Sequence, residues 1–160
     1  MSVTRIDGRT TISEPGTYEL ATDIEHGGGT HLSEACIRIE SDDVVFDGAG
    51  YTIDGFGVSD TSGIFVTECS NVVIRNVTLT EWDYGIWLEH VTEGRVLNSR
   101  FDRNGYGLSF EETNRVSVTE NTFTGNIIGI AFDSMSNDFL RDNVFESNVG
   151  RDVYRNERRD

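Results

Sequence analysis

The sequence predicts an all-β protein, a single-stranded right-handed parallel β-helix of about five 22-residue coils with an N-terminal cap. Two observations lead to this fold class. Glycine recurs at a constant spacing of 22 residues, at Gly63, Gly85, Gly107 and Gly129. Within each repeat, apolar residues alternate with other residues, as in Ile86-Trp87-Leu88, and a period of two is that of a β-strand.

Four columns are apolar in every repeat when the repeats are aligned on these glycines. The columns are Ile64, Ile86, Leu108 and Ile130; Val66, Leu88, Phe110 and Phe132; Ile74, Val96, Val118 and Leu140; and Leu79, Phe101, Phe123 and Phe145. A unit of this length cannot bury its apolar side chains alone, whereas stacked units can. We therefore expect successive coils to pair through parallel strands about 4.8 Å apart.

Asparagines also recur in one column, at Asn104, Asn126 and Asn148. Asparagines stacked in register can hydrogen-bond to one another along the axis of a β-helix. Asparagine also tolerates the left-handed backbone of tight corners. We expect a structural asparagine ladder at one corner.

The chain divides into three parts within one domain. Residues 1–35 are expected to form an N-terminal cap, residues 36–150 the right-handed β-helix, and residues 151–160 a charged C-terminal tail. A cap is needed because an uncovered terminal coil is a bare sheet edge. The tail either solvates the other edge or marks an open β-helix end where a second copy docks to form a homo-oligomer.

The charge balance is strongly acidic, with 28 Asp and Glu against 13 basic residues, a formal net charge of -15. Every basic residue is Arg. Such a surface stays soluble in concentrated salt and repels itself when salt is removed, so it predicts a halophilic protein. It also argues against nucleic acid as a partner, because phosphates attract basic surfaces.

Membrane insertion is not expected, because no apolar run approaches the roughly 18 residues of a membrane-spanning helix. The opening segment MSVTRIDGRTTISEPG lacks the plan of a signal peptide. We expect a cytoplasmic protein if the chain is complete, and a cell-surface location if it is a domain of a larger exported protein.

The two cysteines, Cys36 and Cys69, match neither a zinc pattern nor a redox pair. We interpret them as two buried thiols, the alternative being a disulfide between adjacent coils.

Several segments carry a family resemblance: TISEPGTYEL, ACIRIESDDVVFDGAGYTIDG, and the recurring rows such as GIWLEH and ENTF. Over nearly its whole length the chain resembles the parallel β-helix repeat family of the pectin-lyase-like superfamily, especially the NosD-like and carbohydrate-associated proteins of haloarchaea. The resemblance implies the architecture. It does not select an activity, because that superfamily includes lyases, hydrolases, epimerases, metal-handling proteins and structural modules.

The candidate ligand-binding residues occupy the outward positions of the strand that follows each repeat glycine. They are Trp87, Glu89, His90, Glu111, Glu112 and Asp133. Trp87 offers an aromatic plane for a sugar ring, and stacking should place the carboxylates of Glu89, Glu111 and Asp133 in one column. We expect a noncatalytic binding or assembly module that presents this acidic face to a glycan, a cation or a protein partner.

The alternative is a small polysaccharide-active hydrolase or lyase that uses Glu89 with Glu111 or Asp133. Carboxylates roughly 5 Å apart per coil, and about 10 Å across two coils, fit retaining and inverting glycosidases respectively. Against this hypothesis, the chain has no Lys for a lyase base. It also lacks the long loops that wall substrate clefts in such enzymes.

No resident cofactor is expected, although stacked carboxylates would suit Ca²⁺. The three histidines, His26, His31 and His90, are scattered along the sequence. They do not favour a transition metal, so copper delivery in the manner of NosD has no support from the ligand types.

Overall fold

The computed structural model describes residues 2–25, 27, 30–31, 34–57, 60–133 and 137–155. These residues form nineteen strands, numbered below in chain order. Within the same ranges, no helix has the length and apolar character needed to cross a bilayer.

The strands stack into three parallel ladders, one for each side of the coil. The first ladder contains β2 (Thr10–Ile12), β4 (Ala35–Ile39), β7 (Ser62–Ser70), β10 (Tyr84–Thr92), β13 (Tyr106–Glu111), β16 (Ile128–Phe132) and β19 (Arg151–Arg155). The second contains β1 (Val3–Ile6), β3 (Gly16–Leu20), β5 (Val44–Asp47), β8 (Val72–Arg75), β11 (Arg95–Leu97), β14 (Asn114–Thr119) and β17 (Asn137–Arg141). The third contains β6 (Thr52–Asp54), β9 (Thr78–Thr80), β12 (Arg100–Asp102), β15 (Thr122–Thr124) and β18 (Val144–Glu146).

The predicted fold class is confirmed: the chain is an all-β, right-handed parallel β-helix. The first two ladders belong to one 14-stranded sheet, and the third is a separate five-stranded sheet. The long strands β7 and β10 run through the corner between the first two ladders, which is why these merge into one sheet.

The interior is built from the apolar columns that the repeat predicts. Fourteen of the sixteen column residues are buried. The exceptions are Leu140, which is 37% exposed, and Phe145, which is partly buried against the core. Both lie in the last coil, where the residues of one more coil would be needed to cover them. Like residues stack, as in Phe101 and Phe123, whose ring centroids are 4.7 Å apart.

The repeat glycines mark a close approach between coils. A Cβ atom added to Gly85 would lie 2.5 Å from the carbonyl oxygen of Gly107, and one added to Gly107 would lie 2.6 Å from the carbonyl oxygen of Gly129. Atoms cannot approach that closely without a shift of the backbone. The glycine at every 22nd residue is therefore required by packing between neighbouring backbones.

The asparagine ladder is confirmed, with one correction. The Oδ1 atom of Asn126 accepts hydrogen bonds from the backbone N and the Nδ2 of Asn104, and Asn148 does the same for Asn126. The left-handed backbone lies one residue earlier, at Arg103, Gly125 and Ser147. The asparagines serve this corner through their amides, and their neighbours make the turn.

Strand pairing crosses the boundaries expected at residues 35 and 150. Strands β2 and β3, followed by a bridge from Ile24 to Ile53, fill the three ladder positions of a coil. At the other end, β19 pairs with β16 in the first ladder. The apolar Ile12, Leu20 and Ile24 are buried, so this segment has the inward side chains that a coil needs. A cap and a tail as separate units stay a prediction, and residues 156–160 lie outside the described residues.

Cys36 and Cys69 are free thiols, and both are buried. Their interpretation as buried thiols agrees with the structure, and the disulfide alternative does not.

Candidate functional site

Four aromatic side chains form a continuous surface on the outside of the first ladder, here called the aromatic shelf: Phe65, Tyr84, Trp87 and Tyr106. Tyr84 and Tyr106 stack with centroids 5.0 Å apart and an interplanar angle of 8°. Phe65 and Trp87 are 4.9 Å apart. Tyr84 joins the two pairs, because its ring is stacked on Trp87 at 5.2 Å.

The shelf follows from strand alternation and coil stacking. Trp87 lies outward between the buried Ile86 and Leu88 of β10. Its strand neighbours in register are Phe65 on β7 and Ser109 on β13. All four rings of the shelf are half-buried, so each packs by one side on its neighbours and leaves part of its surface in solvent.

A groove lies on either side of the Tyr84–Trp87 pair. The first groove has a volume of about 300 Å³ and is lined by Glu34, Ala35, Arg38, Asp60, Ser62, Phe65, Tyr84 and Trp87. The second has a volume of about 270 Å³ and extends past Tyr106 and Ser109 to Glu111, Asp133 and Tyr154. The two grooves make one surface running along the helix axis.

Carboxylates line one side of the shelf, as the sequence predicts. Glu89 and Glu111 are paired in register on β10 and β13. Glu89 accepts a hydrogen bond of 3.0 Å from Thr67 Oγ1, and Asp133 accepts one of 3.0 Å from the backbone N of Glu112. Two of the three carboxylates are thus anchored to the neighbouring coil, at fixed places beside the shelf.

His90 and Glu112 lie one residue beyond this acidic column, at a corner of the coil. Glu68, His90 and Glu112 all have a left-handed backbone, with φ between 50° and 53°. His90 Nδ1 is 3.0 Å from Glu112 Oε2, so these two side chains pair with each other. Sequence reasoning found their spacing of 22 residues but missed the corner.

Three further residues of the site escaped the sequence-based prediction. Tyr84 and Tyr106 were assigned to no ligand site, although they supply half of the shelf. Arg38 is in register with Phe65, its guanidinium lies 5.0 Å from the centre of that ring, and it pairs with Glu40. The alternation of Ile37-Arg38-Ile39 was the signal that could have placed Arg38 on the outer face.

The surroundings of the shelf are acidic. Glu34 and Asp60 line the first groove, and the backbone N of Asp60 donates to Asp83 Oδ2 at 3.2 Å. Burial, with the nearby Asp83 carboxylate second, raises the pKa of Tyr84. The Tyr84 hydroxyl is therefore a neutral donor at physiological pH.

The donor set does not fit a copper site. Among the described residues there is no group of three or more His, Cys, Asp and Glu side chains placed to hold a metal ion. Burial raises the pKa of both Cys36 and Cys69 to about 11, so both remain protonated and are poor ligands. His26 lies outside the described residues. The Ca²⁺ considered for the acidic column likewise has no such group to bind it in the described part of the chain.

Together, the ladders and the shelf define a class of protein, a parallel β-helix with an aromatic and acidic outer face. Within this class, the chain belongs to the NosD family, described as periplasmic copper-binding protein, whose sequence profile matches residues 3–160. The copper of that description belongs to the family, and the residues described here do not provide a site for it.

A solved structure supports the same architecture. The chain is similar to the enzymatically active domain of bacteriophage CBA120 tailspike protein 2, with a TM-score of 0.62 and 14% sequence identity. The match covers 89% of this chain and 22% of that domain. At this identity the likeness shows the fold alone. No curated protein sequence matches the chain significantly.

Proposed function

We propose that this β-helix is a noncatalytic binding module that takes a glycan chain along the aromatic shelf. The observation that carries the proposal is the continuity of the four rings, with neighbouring centroids 4.9 to 5.2 Å apart. Tyrosine and tryptophan combine a flat apolar face with a polar tip, which suits ligands that have both apolar faces and hydroxyl groups. A sugar ring is such a ligand.

The acidic column supplies the polar half of this recognition. Ionised carboxylates accept hydrogen bonds only, and glycan hydroxyls donate them. Glu111 is exposed and Glu89 is half-buried beside Trp87 on the same face. A chain lying on the rings would therefore meet fixed acceptors along one edge, which favours a glycan over a flat apolar partner.

The charge around the shelf restricts the kind of glycan. Glu34, Asp60, Glu89, Glu111 and Asp133 line the two grooves or their edge. Arg38 is the one basic side chain lining these grooves among the described residues, and it already pairs with Glu40. Like charges repel in such a site, so the ligand is a neutral glycan rather than a polyuronate or a sulfated chain.

The alternative function is a small polysaccharide-active enzyme. The register pairing of Glu89 with Glu111 favours it, because a separation of one coil is roughly the 5 Å spacing of a retaining carboxylate pair. Glu89 is held by Thr67, and both carboxylates lie on one side of the shelf. A catalytic pair must flank the scissile bond. Release of new reducing ends from a bound glycan, lost in Glu89→Gln, would establish this alternative.

The test is titration calorimetry with neutral oligosaccharides of several backbone types, in parallel with oligogalacturonate. We expect a neutral oligosaccharide to bind and oligogalacturonate to fail. Trp87→Ala should weaken binding by about tenfold or more, as loss of a central aromatic contact does. Tyr51→Ala, which removes an exposed tyrosine at a distance from the shelf, is the matched control and should bind as the parent does.

Two results would contradict the proposal. One is the absence of binding by every neutral oligosaccharide at millimolar concentration. The other is equal binding by the Trp87→Ala and parent proteins, with unchanged circular dichroism. Tighter binding of oligogalacturonate than of neutral chains would keep the shelf as a site and overturn its preference for neutral glycans.

The family description also bears on location. Proteins described as periplasmic meet glycans outside the cytoplasm, and a location there suits a glycan-binding module. A cytoplasmic location stays a prediction from the opening segment alone.

A further inference from the structure

The two ends of the β-helix differ in how they treat the apolar interior. At the N-terminal end, Ile6, Ile12 and Leu20 are 3%, 1% and 0% exposed. At the C-terminal end, Leu140 and Val153 are each 37% exposed, although their partners in the preceding coil, Val118 and Ile130, are fully buried. The interior is covered at one end and open at the other.

The open end also presents a row of strand edges. Strands β17, β18 and β19 each pair with a strand of the preceding coil, β14, β15 and β16 respectively, and these are the last strands of the three ladders in the described chain. A strand edge carries backbone N–H and C=O groups that can pair with another chain. Here the edge surrounds an apolar centre made by Leu140, Phe145 and Val153.

The charge distribution identifies what can approach this end. Of the 28 acidic and 13 basic residues, 22 acidic residues and eight arginines precede residue 137. Six acidic residues and five arginines follow from there. The net charge of -15 is thus carried almost wholly by the rest of the molecule, and the C-terminal end is close to balanced. A second copy would be repelled elsewhere and meets no such repulsion here.

We propose that the C-terminal end is an interface for a second copy of this chain, joined end to end across a two-fold axis. A two-fold interface uses the same surface on both copies. This arrangement fits a molecule with one open and one covered end, because head-to-tail stacking would place the open end against a covered one. It buries Leu140, Phe145 and Val153 from each copy.

Balanced charges make this end self-complementary. The described part of the end contains Arg141, Arg151 and Arg155 together with Asp138, Asp142, Glu146 and Asp152. Across a two-fold axis, arginines of one copy face carboxylates of the other as well as their own neighbours. Such pairs set the orientation of two partners more than they add affinity.

The experiment is sedimentation velocity over a wide range of protein concentration, in high and in low salt. We expect a species of twice the 17.9 kDa chain mass that dissociates on dilution. Val153→Asp places a carboxylate at the apolar centre of the end and should raise the dissociation constant by at least about tenfold. Val3→Asp, at an exposed valine of the opposite end, is the matched control and should dimerise as the parent does.

A second variant tests the charge argument without touching the apolar centre. Arg141 has a side chain that is 81% exposed, so Arg141→Glu should leave the fold intact. We expect it to weaken dimerisation at low salt and to regain it when salt is raised, because screening removes the repulsion that it adds.

A single-chain mass at every concentration would overturn the proposal. So would a dimer that persists in Val153→Asp but is lost in Val3→Asp, since this would move the interface to the other end. The outcome is independent of glycan binding, which is measured separately with the Trp87→Ala protein.

Discussion

Asn126 joins three successive coils through one side chain. Its Oδ1 accepts from the backbone N and the Nδ2 of Asn104, at 2.9 and 3.0 Å. Its Nδ2 donates to the backbone O of Phe101 and to Asn148 Oδ1, each at 3.0 Å. Because Asn126 is fully buried, these bonds replace water for backbone groups that would otherwise be unsatisfied at the corner.

The sequence gives different degrees of access to such residue-level detail. Recurrence at 22 residues is enough to predict the ladder of Asn104, Asn126 and Asn148. A second ladder, in which Asn121 bonds to Asn143 with the same geometry, is equally regular but has only two members, so it escaped notice. The left-handed positions could not be predicted, because residues as different as Arg103 and Ser147 occupy one column.

The buried thiol of Cys36 predicts a loss of stability in alkali. Burial raises its pKa from an ordinary value near 9 to about 11. Between these values the unfolded chain has released the proton and the folded chain has not. The free energy of unfolding therefore falls as pH rises through this window, by about 2 kcal/mol at most for one thiol.

Urea unfolding at about pH 8 and about pH 10.5 measures this dependence on either side of the ordinary thiol pKa. We expect Cys36→Ala to reduce the fall in stability between the two conditions. Tyr51→Phe, which removes an exposed titrating group, is the control and should leave the fall unchanged. An equal fall in the Cys36→Ala protein would disprove the assignment to this thiol.

At the scale of strands and coils, the repeat glycine sets how closely neighbouring backbones approach. This column explains why the repeat is so visible in the sequence, since alanine would collide with a carbonyl oxygen of the next coil. Coil stacking, the apolar columns and the three-sided interior were all predictable from that period. The joining of two ladders into one sheet was not, because it depends on where long strands bend.

Gly107→Ala should destabilise the protein by about 2 kcal/mol or more, the usual cost of forcing an extra carbon into a packed interior. The added Cβ would lie 2.6 Å from the Gly129 carbonyl oxygen, and the coils would have to separate to accept it. Chemical denaturation measures the change. Gly8→Ala is the matched control, because its Cβ meets no atom within 4 Å, and it should be neutral or slightly stabilising. Equal stability of the two variants would refute the packing argument.

The candidate site was predictable in part at the same scale. Alternation placed Trp87 and Glu89 outward, and stacking placed Glu111 beneath Glu89, as the register has it. The contribution of Tyr84 and Tyr106 was missed because an aromatic residue at the start of a strand has no period of its own. Only the packing of Tyr84 on Trp87 makes these rings part of one surface.

For the whole molecule, a net charge of -15 on 160 residues makes stability depend on salt. Between roughly 0.01 M and 1 M NaCl, the screening length falls from about 30 Å to about 3 Å, so repulsion among the carboxylates is largely removed. We expect the melting temperature to rise over this range, measured by circular dichroism.

Sodium sulfate at matched ionic strength separates screening from salting-out. Sulfate also strengthens apolar burial, whereas chloride acts mainly through screening. A rise in both salts agrees with charge repulsion. A rise in sulfate alone, with a constant melting temperature in NaCl, would contradict the prediction of a halophilic protein.

The constant 22-residue pitch has a consequence for how such a gene can change over time. Each coil contacts only the coils before and after it, so duplication or deletion of one whole repeat leaves every remaining contact in place. Any other change of length would set side chains against the glycine column. Descendants of this gene can therefore lengthen or shorten the binding surface in steps of one coil, and the length of ligand they prefer would evolve in the same discrete steps.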